Sequence, residues 1–430
     1  MVYVRSIISR LRFLKDTLSD FQLGIFLCLC LILGGTSQYI LQPKTALYTM
    51  SIVIIAVNLM RVHSHANWKP FLFPILGFGL IILTCFLQLI PLPPDLWITL
   101  QGRESVAHGF EALNMEKPWL PISLTPEITR FSLLDFLPPL AVIAIFINGI
   151  NQVVLQNTIK LLLSITAISI LLGLLQISTS LEMLYFYKIT NDQSLVGFFS
   201  NRNHLTTLLL VTFPFAITYL FNRHDVQRKN LLFGLPLAVI FGVILVGSLF
   251  GYILLAPVVL GSIILCTTQR HLNFLPLYIF LAIGFIIFAI DILFLNNYLL
   301  NLTKTFETLT FGQRLEFTYL TYDVAMDYFP IGSGLGSFEN IYKQYSDVGT
   351  RFVNHAHNDV IETLVEFGIF GAIYMAGFIL YFIKMTLTVA RSNLKVSSFA
   401  WPAIFGIAII TLHSLVDLSL IHISEPTRPY

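Results

Sequence analysis

His355-Ala356-His357-Asn358 sets two imidazoles two residues apart, directly ahead of Asp359-Val-Ile-Glu362 and an apolar run. An Asp followed three residues later by Glu before such a run is a helix-start pattern. It predicts that both histidines stand at a helix N-terminus, where free N–H groups and the helix dipole favour anions. A phosphate group fits such a place, and a neutral imidazole there can take a proton from an attacking hydroxyl. Two other readings stand beside this one. The histidines could be an interfacial pair at a helix cap, or they could hold zinc with a further ligand from Asp359 or Glu362. Upstream, Arg314 offers a planar fork suited to phosphate, unless it is a solvated loop arginine. Lys343 and Arg351 form a second basic cluster. The run Gly332-Ser-Gly-Leu-Gly336 matches neither a dinucleotide-binding nor a P-loop pattern, so it reads as a flexible turn after Pro330.

A second constellation, Asn201-Arg202-Asn203-His204, follows Gly197-Phe-Phe-Ser and precedes another apolar run. Consecutive polar side chains at a membrane entrance are costly unless they meet a ligand or each other. The plainer alternative is an interfacial cap whose long side chains reach toward water. Glu366 falls one turn below Glu362, on the same helix face. Asp135, Asp291 and Asp417 lie near span ends and read as caps, and all four cysteines sit inside apolar runs as small packing residues.

The elements that must position these groups follow from composition. Of 430 residues, 56% are hydrophobic and 11% charged, against about 25% charged in a soluble domain. That excludes an ordinary soluble enzyme and points to an all-α polytopic membrane bundle. A span takes roughly 20 apolar residues. Candidates run over Phe21–Leu41, Thr45–Met60, Phe71–Ile90, Ser132–Ile150, Leu161–Thr179, Leu205–Phe221, Leu231–Val246, Phe250–Thr267, Leu272–Leu295, Val360–Phe382 and Phe399–Val416. The pair flanking Gly247-Ser248-Leu249 reads as a tight hairpin or a broken span. The first run is too long for a signal-peptide core of about 7–15 residues, so it reads as a retained helix.

Short basic connections (Arg5, Arg10, Arg12 and Lys15; Arg61 and Lys69; Arg223, Arg228 and Lys229; Lys384, Arg391 and Lys395) fall on one side. By the positive-inside rule that side, with the N-terminus, is cytoplasmic. The long segments 91–130, 180–203 and 296–359 then face outward. The first reads as re-entrant or interfacial, with Trp97 and Trp119 at headgroup level. The expected organisation is nine helices with two outer segments over 1–295, an outer loop carrying the catalytic residues over 296–359, and further helices over 360–422. The polar end, 423–430, reads as truncated or non-native.

Three stretches together resemble the O-antigen ligase/polymerase family of bacterial envelope glycosyltransferases. They are FFSNRNHLTTLLLVTFP, the stretch from Arg314 through FPIGSGLGSF, and NHAHNDVIETLVEFGIFG. QLIPLP, PISLTPEITR and HSLVDLSL are also similar to that family, so the likeness runs from about Phe86 to Leu420. The resemblance implies a glycosyltransferase-C-like bundle of about 11–12 spans in the bacterial inner membrane. It implies transfer of a glycan from an undecaprenyl-diphosphate carrier to lipid A–core or another acceptor, at the periplasmic face. No metal, cofactor or nucleic acid takes part in the implied reaction, which inverts the anomeric centre. Carried over residue by residue, His357, Arg314 and His355 are catalytic. Arg202, Asn201, Asn203, His204, Asn358, Glu362 and Arg351 bind substrate.

One departure is that many members carry Ser-Arg-x-Gly between two central spans, where this chain has Ser248-Leu249-Phe250-Gly251. The resemblance leaves open a polymerase, a protein O-oligosaccharyltransferase and, from another class, a bicarbonate-type solute transporter. A carrier wants charged or broken spans at the bilayer midplane, whereas the ionisable residues here gather at the outer rim.

Overall fold

The computed structural model describes residues 21–35, 41–61, 68–179, 181–188, 190–191, 194–222, 233–267, 319–345, 356, 358–391 and 399–415. These residues form an all-α polytopic bundle. Among them, six helical stretches are long and apolar enough to cross a membrane: Pro43–Met60, Lys69–Gln88, Pro126–Ile147, Gln152–Thr179, Arg202–Phe221 and Ile369–Arg391. Four shorter apolar helices accompany them. The expected span Leu272–Leu295 lies outside the described residues.

In chain order the helices are α1 (Phe21–Leu33), α2 (Leu41–Met60), α3 (Leu72–Gln88), α4 (Pro94–Trp97), α5 (Glu104–Ala112), α6 (Pro126–Ser132), α7 (Leu137–Ile147) and α8 (Gln152–Thr179). Then come α9 (Arg202–Phe221), α10 (Gly234–Val246), α11 (Leu249–Thr267), α12 (Phe338–Tyr345), α13 (Asp359–Phe367), α14 (Ile369–Arg391) and α15 (Ala400–Ser414).

The bundle is built round α9. Its apolar window is 72% buried, while that of α14 is 0% buried. Leu205, Leu209, Phe213 and Ile217 of α9 pack with Ile170 of α8, Val239 and Val243 of α10, Val258 of α11 and Ile409 of α15. Helices that are hydrophobic all round make this possible, because lipid solvates whatever face the neighbours leave bare. Leu76, Leu80 and Leu83 of α3 and Ile373 and Leu380 of α14 are accordingly exposed.

Between α10 and α11 the chain turns at Gly247, which is left-handed (φ 70°). Ser248 is buried there, and its carbonyl accepts from the Tyr252 amide at 3.0 Å. Both helices pack on α9 and on each other, so the tight hairpin is the alternative the chain adopts.

The expected span Val360–Phe382 is not continuous. Gly368 (φ 56°, ψ −131°) ends α13 in a conformation that favours glycine, and α14 starts at the next residue. Five of the six residues Glu362–Phe367 are buried, while the helix long and apolar enough to cross a membrane is Ile369–Arg391.

The segment after α3 is a small folded piece rather than an interfacial loop anchored by both tryptophans. Pro91 and Leu92 pair antiparallel with Pro121 and Leu120. Trp97 is fully buried, donating from its indole N–H to the Pro118 carbonyl at 2.8 Å and packing near Phe110. An indole whose N–H finds an internal acceptor has no need of the headgroup layer. Trp119, by contrast, is exposed. Asp135 is an interhelical partner: it accepts from Tyr48 Oη at 2.5 Å and lies 3.4 Å from Lys44 Nζ of α2.

Candidate functional site

Four stretches distant in sequence meet where α3 ends. Gln88, the last residue of α3, is buried, and its side chain is used at both ends. The amide nitrogen donates to the Glu366 carbonyl at 2.8 Å, and the amide oxygen accepts from the Leu335 N–H at 3.2 Å. Its own carbonyl accepts from the Ser123 amide. Thr129 Oγ1 donates to the Leu335 carbonyl, and the Leu124 amide donates to that of Ser333. Ser333 and Gly334 donate in turn to the carbonyls of Val365 and Glu366, and Ile369 donates to that of Pro330.

The glycine run is therefore a rigid joint, not a flexible turn. Gly332 and Gly334 have φ of +82° and +105°. A Cβ on Gly332 would lie 2.5 Å from the Glu366 carbonyl oxygen, and one on Gly334 would lie 2.5 Å from Ser123 Oγ. Only a residue without a side chain allows backbones to approach this closely. Apolar groups seal the joint: Cys85, Leu335 and Phe367 pack with Ile81, Leu133 and Phe136.

The joint holds α13, and α13 positions the histidine motif. The cap of α13 is Asn358 rather than Asp359. Its side-chain oxygen accepts from the Val360 and Ile361 amides at 3.1 and 3.2 Å, satisfying two of the donors that a helix start leaves bare. Glu362 and Glu366 share one face, as their spacing predicts, and both are buried. Glu362 Oε2 accepts from the Ala356 N–H at 2.9 Å, and Glu366 Oε1 accepts from the Gly336 N–H at 2.8 Å. Each carboxylate thus clasps one loop onto the helix. Ala356, which lies between His355 and His357 in sequence, is fully buried against Val324, Phe338 and Val365. His355, His357, Arg314 and Arg351 themselves lie outside the described residues.

The second constellation caps α9. Asn201 is its N-cap, accepting from the Asn203 amide at 2.8 Å, and both asparagines are buried. The Arg202 amide donates to Asn191 Oδ1, and Ser200 donates twice to the Gly35 carbonyl beyond α1. Gln176 of α8 brackets Gly197, donating to its carbonyl and accepting from its N–H, both at 2.9 Å. What this cap leaves half-buried is Arg202 and His204, the latter ring-to-ring with Phe199 at 6.1 Å. Asn358 and Glu362 thus belong to one cluster at α13, and residues 201–204 to another at the head of α9.

Sequence reasoning assigned no role to two further residues. His413 of α15 is fully buried and hydrogen-bonds through Nδ1 with Thr207, one turn below Asn203 on α9. Its signal was its place in HSLVDLSL. Arg103 is 2% exposed and donates to the Ile122 carbonyl. Burial lowers its pKa to about 10, partly offset by the nearby Tyr328. Nothing in the sequence marks it, since its neighbours Gly102 and Glu104 read as a polar loop. Among the described residues no group of three or more His, Cys, Asp or Glu could hold a metal ion; the zinc reading falls on His355 and His357, outside them.

Residues 233–376 match a family model described as O-antigen ligase. No curated protein matches the chain.

Proposed function

We propose, on the premise that residues 233–376 place this chain in the O-antigen ligase/polymerase family, that it transfers a glycan from undecaprenyl diphosphate to lipid A–core outside the cytoplasm. The acceptor hydroxyl oxygen attacks the anomeric carbon as the bond from that carbon to the diphosphate oxygen breaks. The electron pair leaves with the diphosphate, the hydroxyl proton passes to His357, and attack opposite the leaving group inverts the centre. Arg314 and Arg202 meet the charge that grows on the diphosphate, the kind of electrostatic contribution that usually dominates such steps. In this reading His355 assists His357 and Arg351 contributes to donor binding, with Asn201, Asn203 and His204 serving the same substrate from the head of α9. Asn358 and Glu362 hold the motif rather than touch the reacting atoms. No metal takes part.

The observation that carries this reading is the clasp at the start of α13. A buried carboxylate and a capping amide fix the backbone of Ala356 and Asn358, the two neighbours of His357, over a helix N-terminus. Backbone held on both sides of residue 357 supports the role of a positioned general base. The test is replacement of His357 or Arg314 by Ala in a strain lacking its own enzyme. Loss of long-chain lipopolysaccharide with intact core is expected. Unchanged attachment at normal protein levels would defeat the assignment, and a core bearing one repeat unit would indicate a polymerase.

A further inference from the structure

A cavity of about 460 Å³ opens beside Tyr328, which packs in the same cluster as Ala356 of the histidine motif. It is lined by Gln101, Glu104 and Ser105 at the head of α5, by Asp327, and by Gln344 and Tyr345 at the end of α12. Its size falls within the range of about 300–1,000 Å³ usual for small-molecule sites. We propose that this cavity is a saccharide subsite, which seats a sugar of the glycan chain and leaves the lipid diphosphate elsewhere; it rests on the glycan-transfer reading above.

The lining chemistry sorts the candidates. Carboxylates only accept hydrogen bonds, amides both donate and accept, and hydroxyls do either. Two carboxylates, two amides and three hydroxyls therefore match a ligand that presents many groups able to do both, which is the character of a sugar's vicinal hydroxyls. A diphosphate fits the described lining poorly, because Glu104 and Asp327 face it and, among the described residues, no Lys or Arg lines the cavity. A cationic peptide suits the carboxylates but leaves the amide N–H groups unmatched. The remaining wall supplies an apolar surface: Met326 and the ring of Tyr328 complete the lining, offering carbon surface to the C–H face of a pyranose.

This wall is stiff. Gly102 (φ +74°) lets the Tyr328 ring come so close that any Cβ would overlap it. Arg103 is buried beside it, tied to the Ile122 carbonyl. Tyr345 hydrogen-bonds with Tyr328 and with Asp327, and burial raises both phenols. Glu104, Ser105, Asp327 and Gln344 remain exposed and accessible to a ligand.

The experiment uses full-length protein in lipid nanodiscs and calorimetric titration. The probe is the delipidated polysaccharide released by mild acid from the lipopolysaccharide of the strain that encodes the protein. Wild type should bind it, and Glu104→Ala combined with Asp327→Ala should weaken binding at least tenfold. Because both side chains are exposed, the double variant keeps its fold, checked by an unchanged unfolding midpoint. In transfer assays it should raise KM for the glycan and leave kcat near wild type. No binding by wild type, binding unchanged in the double variant, or tighter binding of tetralysine than of polysaccharide would each overturn the subsite. His357→Ala separates the two readings: it should abolish transfer while binding the polysaccharide normally. Transfer that persists in that variant overturns the catalytic reading, and the binding titration then still decides the subsite.

Discussion

Replacing Gln88 by Leu tests the joint at the end of α3 with little change of volume. Two bonds are lost. The Leu335 N–H loses its acceptor in a buried place, and a stranded buried donor costs about 1–3 kcal/mol. The Glu366 carbonyl loses one of two donors but keeps the Gly334 amide at 3.0 Å, so that loss is about 1 kcal/mol. The sum is about 2–4 kcal/mol. For a chain of 430 residues, with about 2 cal/mol/K of unfolding entropy per residue, the midpoint moves about 1 °C per kcal/mol and should fall by about 2–4 °C. The assay is fluorescence-monitored thermal unfolding in detergent, with Gly77→Ala as control, since a Cβ there meets nothing within 4 Å. Glycan attachment should also drop more than tenfold at a growth temperature where the variant still accumulates, because the joint holds α13 in place. A midpoint within about 0.5 °C of the control would refute the claim that the glycine run is a structural joint.

Gly332→Ala should prevent accumulation of folded protein, because its methyl would meet the Glu366 carbonyl at 2.5 Å and neither backbone can withdraw; immunoblots of membranes against Gly79→Ala decide this. Asn358→Ala should cost about 1 kcal/mol as a lost cap, and Asn358→Ser or Asn358→Asp should restore transfer. If neither restores it while the protein is folded, Asn358 touches substrate. Tyr187 donates to the Ile32 carbonyl at 2.7 Å, and burial raises its phenol from 10.0 to about 12. The folded state then holds a proton that the unfolded state has released, so this stabilisation is complete below pH about 10 and is lost as pH rises to about 12. Tyr187→Phe should flatten that part of the stability-versus-pH curve measured by thermal midpoints, and an unchanged slope would contradict it.

The wrong expectations share a cause. The glycine run read as loose because spacing along a chain shows which residues can turn, not what packs on the turn. The partners of Gln88 are 247 and 278 residues away. Val360–Phe382 read as one span because hydropathy averages across Gly368, although that residue's φ of 56° divides a packed helix from a lipid-facing one. Trp97 read as a headgroup anchor because its acceptor, the Pro118 carbonyl, is invisible until the segment folds back. QLIPLP, PISLTPEITR, FPIGSGLGSF and the end of NHAHNDVIETLVEFGIFG are separate similarities along the chain, and the fold joins them through Gln88, Thr129, Leu335 and Glu366.

By itself the sequence determined that the chain is a membrane-spanning helical bundle, where most spans lie, and that polar groups gather before α9 and α13. Those properties depend on local composition and on helical spacing, which a bilayer's thickness and dryness translate directly into structure. Tertiary structure alone decided that Asn358 is the cap, that Glu362 and Glu366 clasp loops, that Arg103 is buried, and that a polar cavity opens between α5 and α12. Each of these rests on which distant backbone donor or acceptor comes within about 3 Å, and no periodicity along the chain encodes that.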